Sequence, residues 1–170
     1  MAKHSPSKLS HLDDSGRARM VDVSDKPTTI RMARAEATVR LGKTLATQVR
    51  KTGRAKKGEV VETARIAGIM GAKHTADLIP LCHPLALTGV AVDAHWKHDG
   101  LRFEATARTT GPTGVEMEAL AAVTVAALTV YDMCKAASKD ITISAIRLLE
   151  KSGGRSGHFA AKDETHGRKN

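Results

Sequence analysis

Asp132 and Lys135 are the first residues whose types and spacing suggest chemistry. They end a long apolar run and lie three apart, so on a helix they share one face. A carboxylate beside an ammonium can orient it or relay a proton, and an apolar surrounding shifts the pKa of such a carboxylate. An ordinary surface ion pair has the same spacing and contributes little. A second source of charge is the run Arg50, Lys51, Arg54, Lys56 and Lys57, crowded around Gly53 and Gly58. It reads either as an anion-binding loop or as a solvated helix end whose cations complement the macrodipole.

Other motifs narrow the choice by failing. Gly42-Lys43-Thr44 ends like a phosphate-binding P-loop, but the glycine required five residues earlier is Ala37. Lys151 and Gly153-Gly154-Arg155-Ser156-Gly157 could cradle an anion with backbone N–H groups and two cations, or could be a flexible exit from the last strand. The histidines do not cluster at ligand spacing. Only His83, between Cys82 and Pro84, sits in a stiff segment, and no metal site is expected. Thr113-x-x-Glu116 has the form of a capping box, which would give Glu116 a structural role, while Glu118 would favour the positive end of the same helix.

These residues need elements to position them. Ala33, Ala35, Ala37, Val39 and Leu41 alternate with Arg34, Glu36, Thr38 and Arg40, the period of a half-buried strand. Helices are expected over 43–51 and from about Glu59 towards Ala72. Pro80 and Pro84 bracket a stretch that cannot be helical throughout. Strands follow at 85–97 and 101–110 around a His98-Asp99-Gly100 turn, then a helix over 113–138 and a last strand near 141–149. The order is βαββαβ with one helix doubled, which predicts an α+β fold: a ferredoxin-like sandwich on an antiparallel sheet.

From Ala119 to Tyr131 every residue is apolar or Thr, so this helix should be buried in protein on all sides. A domain of 170 residues would struggle to cover it alone, which predicts an extensive subunit interface. The chain is expected to be one soluble domain over 20–157, with disordered tails at 1–19, whose deletion should change little, and at 158–170.

Composition bears on partners. The 27 Lys+Arg against 18 Asp+Glu give a net charge of +9, which invites a nucleic-acid reading. More than half of that excess falls in the first and last twenty residues, and Trp96, Phe103, Tyr131 and Phe159 are the whole aromatic inventory. Without aromatic platforms for base stacking, a nucleic-acid partner is not expected. No secretory signal or membrane span is evident, and Cys82 and Cys134 lie far apart, so a reducing cytoplasm fits.

Six ordered segments are specific enough to suggest a family. They are Met20-Val21-Asp22-Val23-Ser24, Thr63-Ala64-Arg65-Ile66-Ala67-Gly68-Ile69, Leu78-Ile79-Pro80-Leu81-Cys82-His83-Pro84-Leu85, Thr113-Gly114-Val115-Glu116-Met117-Glu118-Ala119-Leu120, Tyr131-Asp132-Met133-Cys134-Lys135-Ala136 and Lys151-Ser152-Gly153-Gly154-Arg155-Ser156-Gly157. Over about residues 20–157 the chain resembles the molybdenum cofactor biosynthesis protein C family, the cyclic pyranopterin monophosphate synthases.

The resemblance implies a cytoplasmic lyase that rearranges a cyclised dihydro-GTP, made by the radical GTP cyclase of the same pathway, and releases pyrophosphate. It implies a homohexamer, a trimer of dimers, with the site at the dimer interface. No cofactor is required, with Mg²⁺ left open as a companion of the triphosphate. By motif, Asp132, Lys135 and Lys57 match catalytic positions. Leu81, Cys82, His83, Glu116, Met117 and Glu118 match the substrate pocket, and Arg31 and Lys151 match basic positions near the phosphates. Arg155 and Glu62 depart from the family pattern; the first keeps the charge of the usual lysine.

Such chemistry is proton movement and phosphoryl displacement, for which acids and bases with pKa values near neutrality are needed. Crowding by Lys56 would lower the pKa of Lys57 towards that range. Glu116 and Asp132 lie sixteen positions apart, about 24 Å along one straight helix at roughly 1.5 Å per residue. One small pocket that uses both must therefore draw them from two subunits.

Overall fold

The computed structural model describes residues 11–13 and 15–162. In chain order its elements are β1 (Thr29–Arg40), α1 (Lys43–Thr52), β2 (Arg54–Ala55), β3 (Gly58–Glu59), α2 (Val60–Lys73), α3 (Thr75–Leu78), β4 (Leu87–Lys97), β5 (Gly100–Gly111), α4 (Glu116–Cys134), β6 (Thr142–Ser152) and β7 (Phe159–Ala160). The main sheet runs β4-β5-β1-β6-β7 with every pairing antiparallel, and β2 and β3 form a separate two-stranded hairpin. This is the α+β ferredoxin-like sandwich expected from the element order.

The two faces of the sheet follow from the alternation in β1. Ala33, Ala35, Ala37 and Val39 are fully buried, together with Leu101, Phe103, Ala105 and Ala107 from β5. Small side chains on this face let α4 lie close to the sheet, where Ala119, Ala122, Val123, Ala126, Ala127 and Val130 are buried. α2 packs against α4 through glycines: a Cβ on Gly68 would stand 2.8 Å from the Ala122 carbonyl oxygen, and one on Gly71 would stand 2.7 Å from Val125 Cγ2. Close backbone approach thus replaces the aromatic bulk that the composition lacks. By length and composition α4 could cross a membrane, but half of it is buried here as a core helix against the sheet and α2.

The opposite face is a charge lattice. Arg102 and Arg147 each place Nε on the buried Glu36 carboxylate, at 2.5 and 2.6 Å, and Arg34 bridges Glu104 and Glu150 at 3.1 and 3.3 Å. Burial opposes ionisation of Glu36, but hydrogen bonds from Arg147 and Arg102 outweigh it and hold the carboxyl below its ordinary range. The β1–β6 register shifts between Glu36 and Thr38, beside Ala145, whose φ is 52°. The resulting bulge places Arg147 opposite Glu36.

Local details differ from the expectations. The α4 helix begins at Glu116 with Val115 as its N-cap and no side-chain cap, so Thr113 and Glu116 do not form a capping box. It ends at Cys134, short of the expected 138. The basic run divides: Arg50 and Lys51 lie in the last turn of α1, as a helix end complementing the macrodipole would have them. The rest folds into the β2–β3 hairpin, in which Ala55 pairs with Gly58 across Lys56-Lys57. Beyond the boundary expected at 157, β7 pairs with β6. Of the expected tails, residues 1–10, 14 and 163–170 lie outside the described residues.

Candidate active site

Two adjoining cavities open beside the N-terminal end of α4. One, of about 410 Å³, is lined by cations: Lys26, Arg31, Lys151 and Arg155, with Ser156 and Glu116. The other, of about 340 Å³, is lined by Leu81, Cys82, His83, Glu116, Met117 and Glu118, with His11, Val21 and Val23. Lys26, Thr113, Gly114 and Glu116 line both and mark their junction. Every residue expected to bind substrate therefore falls in this pair of chambers.

The cationic chamber is held by backbone and glycine. Arg31 leaves β1 beside the β5 edge and donates to the carbonyl oxygens of Gly111 and Pro112, at 3.2 and 3.0 Å. Its guanidinium rests on Gly154, where a Cβ would stand 1.8 Å from Nη1. Gly153 and Gly154 both have positive φ, so the turn after β6 demands glycine for conformation and for space. Lys151, at the end of β6, donates to Ser156 Oγ and lies 3.4 Å from Glu116 Oε1. The glycine-rich turn is thus part of the chamber wall.

The second chamber is acidic. Glu118 is buried at 4% exposure, and desolvation, reinforced by the charge of Glu116, pushes its carboxyl above the ordinary range. Burial likewise pushes the Cys82 thiol up, with a contribution from Glu118. His83 holds its Nε2 2.8 Å from the carbonyl oxygen of Val21. A carbonyl can only accept, so Nε2 carries the proton of this contact.

The remaining predicted residues converge elsewhere. At the C-terminal end of α4, Lys57 Nζ lies 2.6 Å from Asp132 Oδ2, and Lys135 Nζ lies 2.8 Å from Asp132 Oδ1. Lys57 arrives from the hairpin turn, 75 residues away in sequence. Hydrogen bonds from Lys135 and Lys57 hold the Asp132 carboxyl at about 2, and Asp132 in turn raises Lys135. The carboxylate shared by both ammonium groups dominates, so the resting cluster is an ionised clamp rather than a neutral base.

The basic run divides by role. Arg50 lies 5.1 Å from the Trp96 ring and donates to the Lys97 carbonyl oxygen at 2.7 Å, fastening α1 to the end of β4. Arg54 pairs with Glu59 at 3.2 Å within the hairpin, and only Lys57 of the run reaches Asp132. Glu62, the departure near the loop, pairs with Arg65 at 2.8 Å on the same helix. Among the described residues no group of three or more His, Cys, Asp or Glu side chains could hold a metal ion.

Sequence reasoning missed Lys26 and His11 as lining residues. Lys26 stands beside Pro27 just before β1, in a segment without periodicity, and His11 lies in an expected tail.

A ferredoxin-like sandwich with a cationic chamber, an acidic chamber and a lysine–aspartate clamp defines an enzyme acting on a small molecule. The chain belongs to the MoaC family, whose model matches residues 20–154. It is 59% identical over 155 residues to "Cyclic pyranopterin monophosphate synthase" of Roseiflexus sp. (strain RS-1), covering 90% of this chain and 98% of that protein. A protein of the same name from Cereibacter sphaeroides (strain KD131) is 58% identical over 158 residues, covering 91% and 98%. "Molybdenum cofactor biosynthesis protein 1" of Drosophila melanogaster is 58% identical over 151 residues, which are 88% of this chain but 26% of that longer protein.

Proposed function

We propose that the chain is a cyclic pyranopterin monophosphate synthase, a lyase of molybdenum cofactor biosynthesis. It converts (8S)-3',8-cyclo-7,8-dihydroguanosine 5'-triphosphate to cyclic pyranopterin monophosphate and releases pyrophosphate. The observation that carries the reading is the pairing of unlike chambers about Glu116. A triphosphate suits Lys26, Arg31, Lys151 and Arg155, whose charges also stabilise departing pyrophosphate. A guanine-derived ring, rich in N–H donors, suits the carboxylates of Glu116 and Glu118.

Glu118, with its raised pKa, serves as the proton carrier next to the ring. Lys57 and Lys135 act as cations and proton donors, oriented by Asp132. Asp132 and Glu116 stand sixteen positions apart on α4, about 24 Å at roughly 1.5 Å per residue. In this reading the lysine clamp of one subunit completes the chambers of another, within a cytoplasmic homohexamer built as a trimer of dimers. The reaction uses these side chains without a resident cofactor, and Mg²⁺ enters only as a companion of the triphosphate. The radical GTP cyclase of the pathway supplies the substrate.

The direct test is incubation of pure protein with the cyclised dihydro-GTP. Stoichiometric pyrophosphate and a pterin product are expected; unchanged substrate would overturn the reading.

A further inference from the structure

The N-terminal segment, expected to be a dispensable tail, is built into the acidic chamber. His11 and Arg19 close a small hairpin: Arg19 N–H donates to the His11 carbonyl oxygen at 2.9 Å, Asp13 N–H donates to the Arg17 carbonyl oxygen at 2.9 Å, and Leu12 bridges Ala18. The Asp13 carboxylate fastens the turn, accepting from the backbone N–H groups of Ser15 and Arg17 at 2.9 Å each and pairing with Arg17 Nε at 3.2 Å. Local hydrogen bonds therefore fix the backbone at His11 without help from the core. Downstream the strap is pinned to the chamber, where the Val21 carbonyl oxygen meets His83 Nε2 at 2.8 Å.

The chamber's hydrogen-bonding inventory gives the strap a task. Glu116 can accept from the N–H groups of a guanine-derived ring and Glu118 exchanges protons with it, while the ring's carbonyl oxygen needs a donor of its own. The Nε2 of His83 is spent on the Val21 carbonyl oxygen. Lys26 and Thr113 line both chambers, so the donors they offer are shared with the triphosphate. His11 is the other imidazole in the lining.

We propose that His11 is a further substrate-contacting residue, carried by the strap into the acidic chamber to donate a hydrogen bond to the ring. Asp13 is its positioning residue. The proposal rests on the synthase reading and reassigns residues 11–19 from tail to site.

The test compares wild type, His11→Ala, His11→Gln and Asp13→Ala as full-length chains, in turnover of the cyclised dihydro-GTP and in calorimetric binding of GTP as a probe. Loss of one hydrogen bond to the ring should lower kcat/KM and GTP affinity about five- to tenfold in His11→Ala. His11→Gln, whose amide still donates, should recover part of both, and Asp13→Ala should show a smaller loss in the same direction. Unchanged circular dichroism is expected for all four proteins.

A His11→Ala variant within twofold of wild type in both measurements would overturn the proposal and leave the synthase reading standing. Wild type that binds GTP but does not turn over the cyclised compound would sink the reading, with His11 still judged by the binding arm. Wild type that does neither removes both.

Discussion

Two carboxylates on one helix are driven in opposite directions. Glu118, near the start of α4, is buried among apolar and acidic neighbours, and its pKa rises. Asp132, near the end, is half exposed between two ammonium groups, and its pKa falls to about 2. The same chemical group is thereby divided into a proton carrier and a permanent anion, by burial at one end and by opposite charge at the other. The helix between them supplies rigid spacing. In the proposed mechanism, each end is half of a site.

The sharpest way to break this contrast is at the clamp. Asp132→Asn removes the anion that orients Lys57 and Lys135, and Lys135→Ala removes one proton donor. Either should lower turnover by roughly 10²–10⁴-fold, as loss of a positioned acid or base does, with secondary structure unchanged by circular dichroism. Turnover within a few-fold of wild type would mean that the pair is an ordinary surface ion pair.

Glu118→Gln tests the other end, and its two readouts should diverge. Turnover should fall by about 10²-fold, because the amide cannot pass a proton. Stability should move the other way. The folded pKa of Glu118 lies above the unfolded one, so its favourable contribution is complete below the unfolded pKa and is lost as pH rises through the folded pKa. The amide never ionises and escapes that loss. Its Tm should therefore exceed that of wild type near neutral pH, with the gap closing in acid. A lower Tm at neutral pH would show that the carboxylate is structurally satisfied.

The smallest effect belongs to the stability of the clamp. The Asp132 pairs favour the fold above the ordinary Asp pKa and lose that contribution as pH falls through about 2. Because the side chains are half exposed, solvent screens the pairs. The Tm of Asp132→Asn should stay close to wild type at neutral pH; a large drop would assign Asp132 to the fold rather than to the chemistry.

Much of this arrangement was legible from residue patterns. Alternation from Ala33 to Leu41 marks β1 because one face of it is buried and the other carries the charge lattice. The unbroken apolar run marks α4 because it lies between the sheet and α2. The chamber residues were legible as motif segments, but their meeting about Glu116 was not. Lys57 reaches Asp132 through a hairpin whose strands are two residues each, too short for any period. The common carboxylate was not legible either: sequence shows Lys57 beside Lys56, whereas the fold brings Lys57 and Lys135 together on Asp132. His11 was hidden because a polar, glycine-containing segment looks the same whether it is free or folded onto a cavity.

In the proposed mechanism the two ends of α4 serve one site across a subunit boundary. Hybrid oligomers of Asp132→Ala and Glu118→Ala subunits, verified by mass spectrometry, test it most directly. Each variant alone should be inactive. The hybrids should recover a measurable fraction of wild-type turnover, since some interfaces would pair an intact clamp with intact chambers. Verified hybrids with no activity above that of the parent variants would contradict the account.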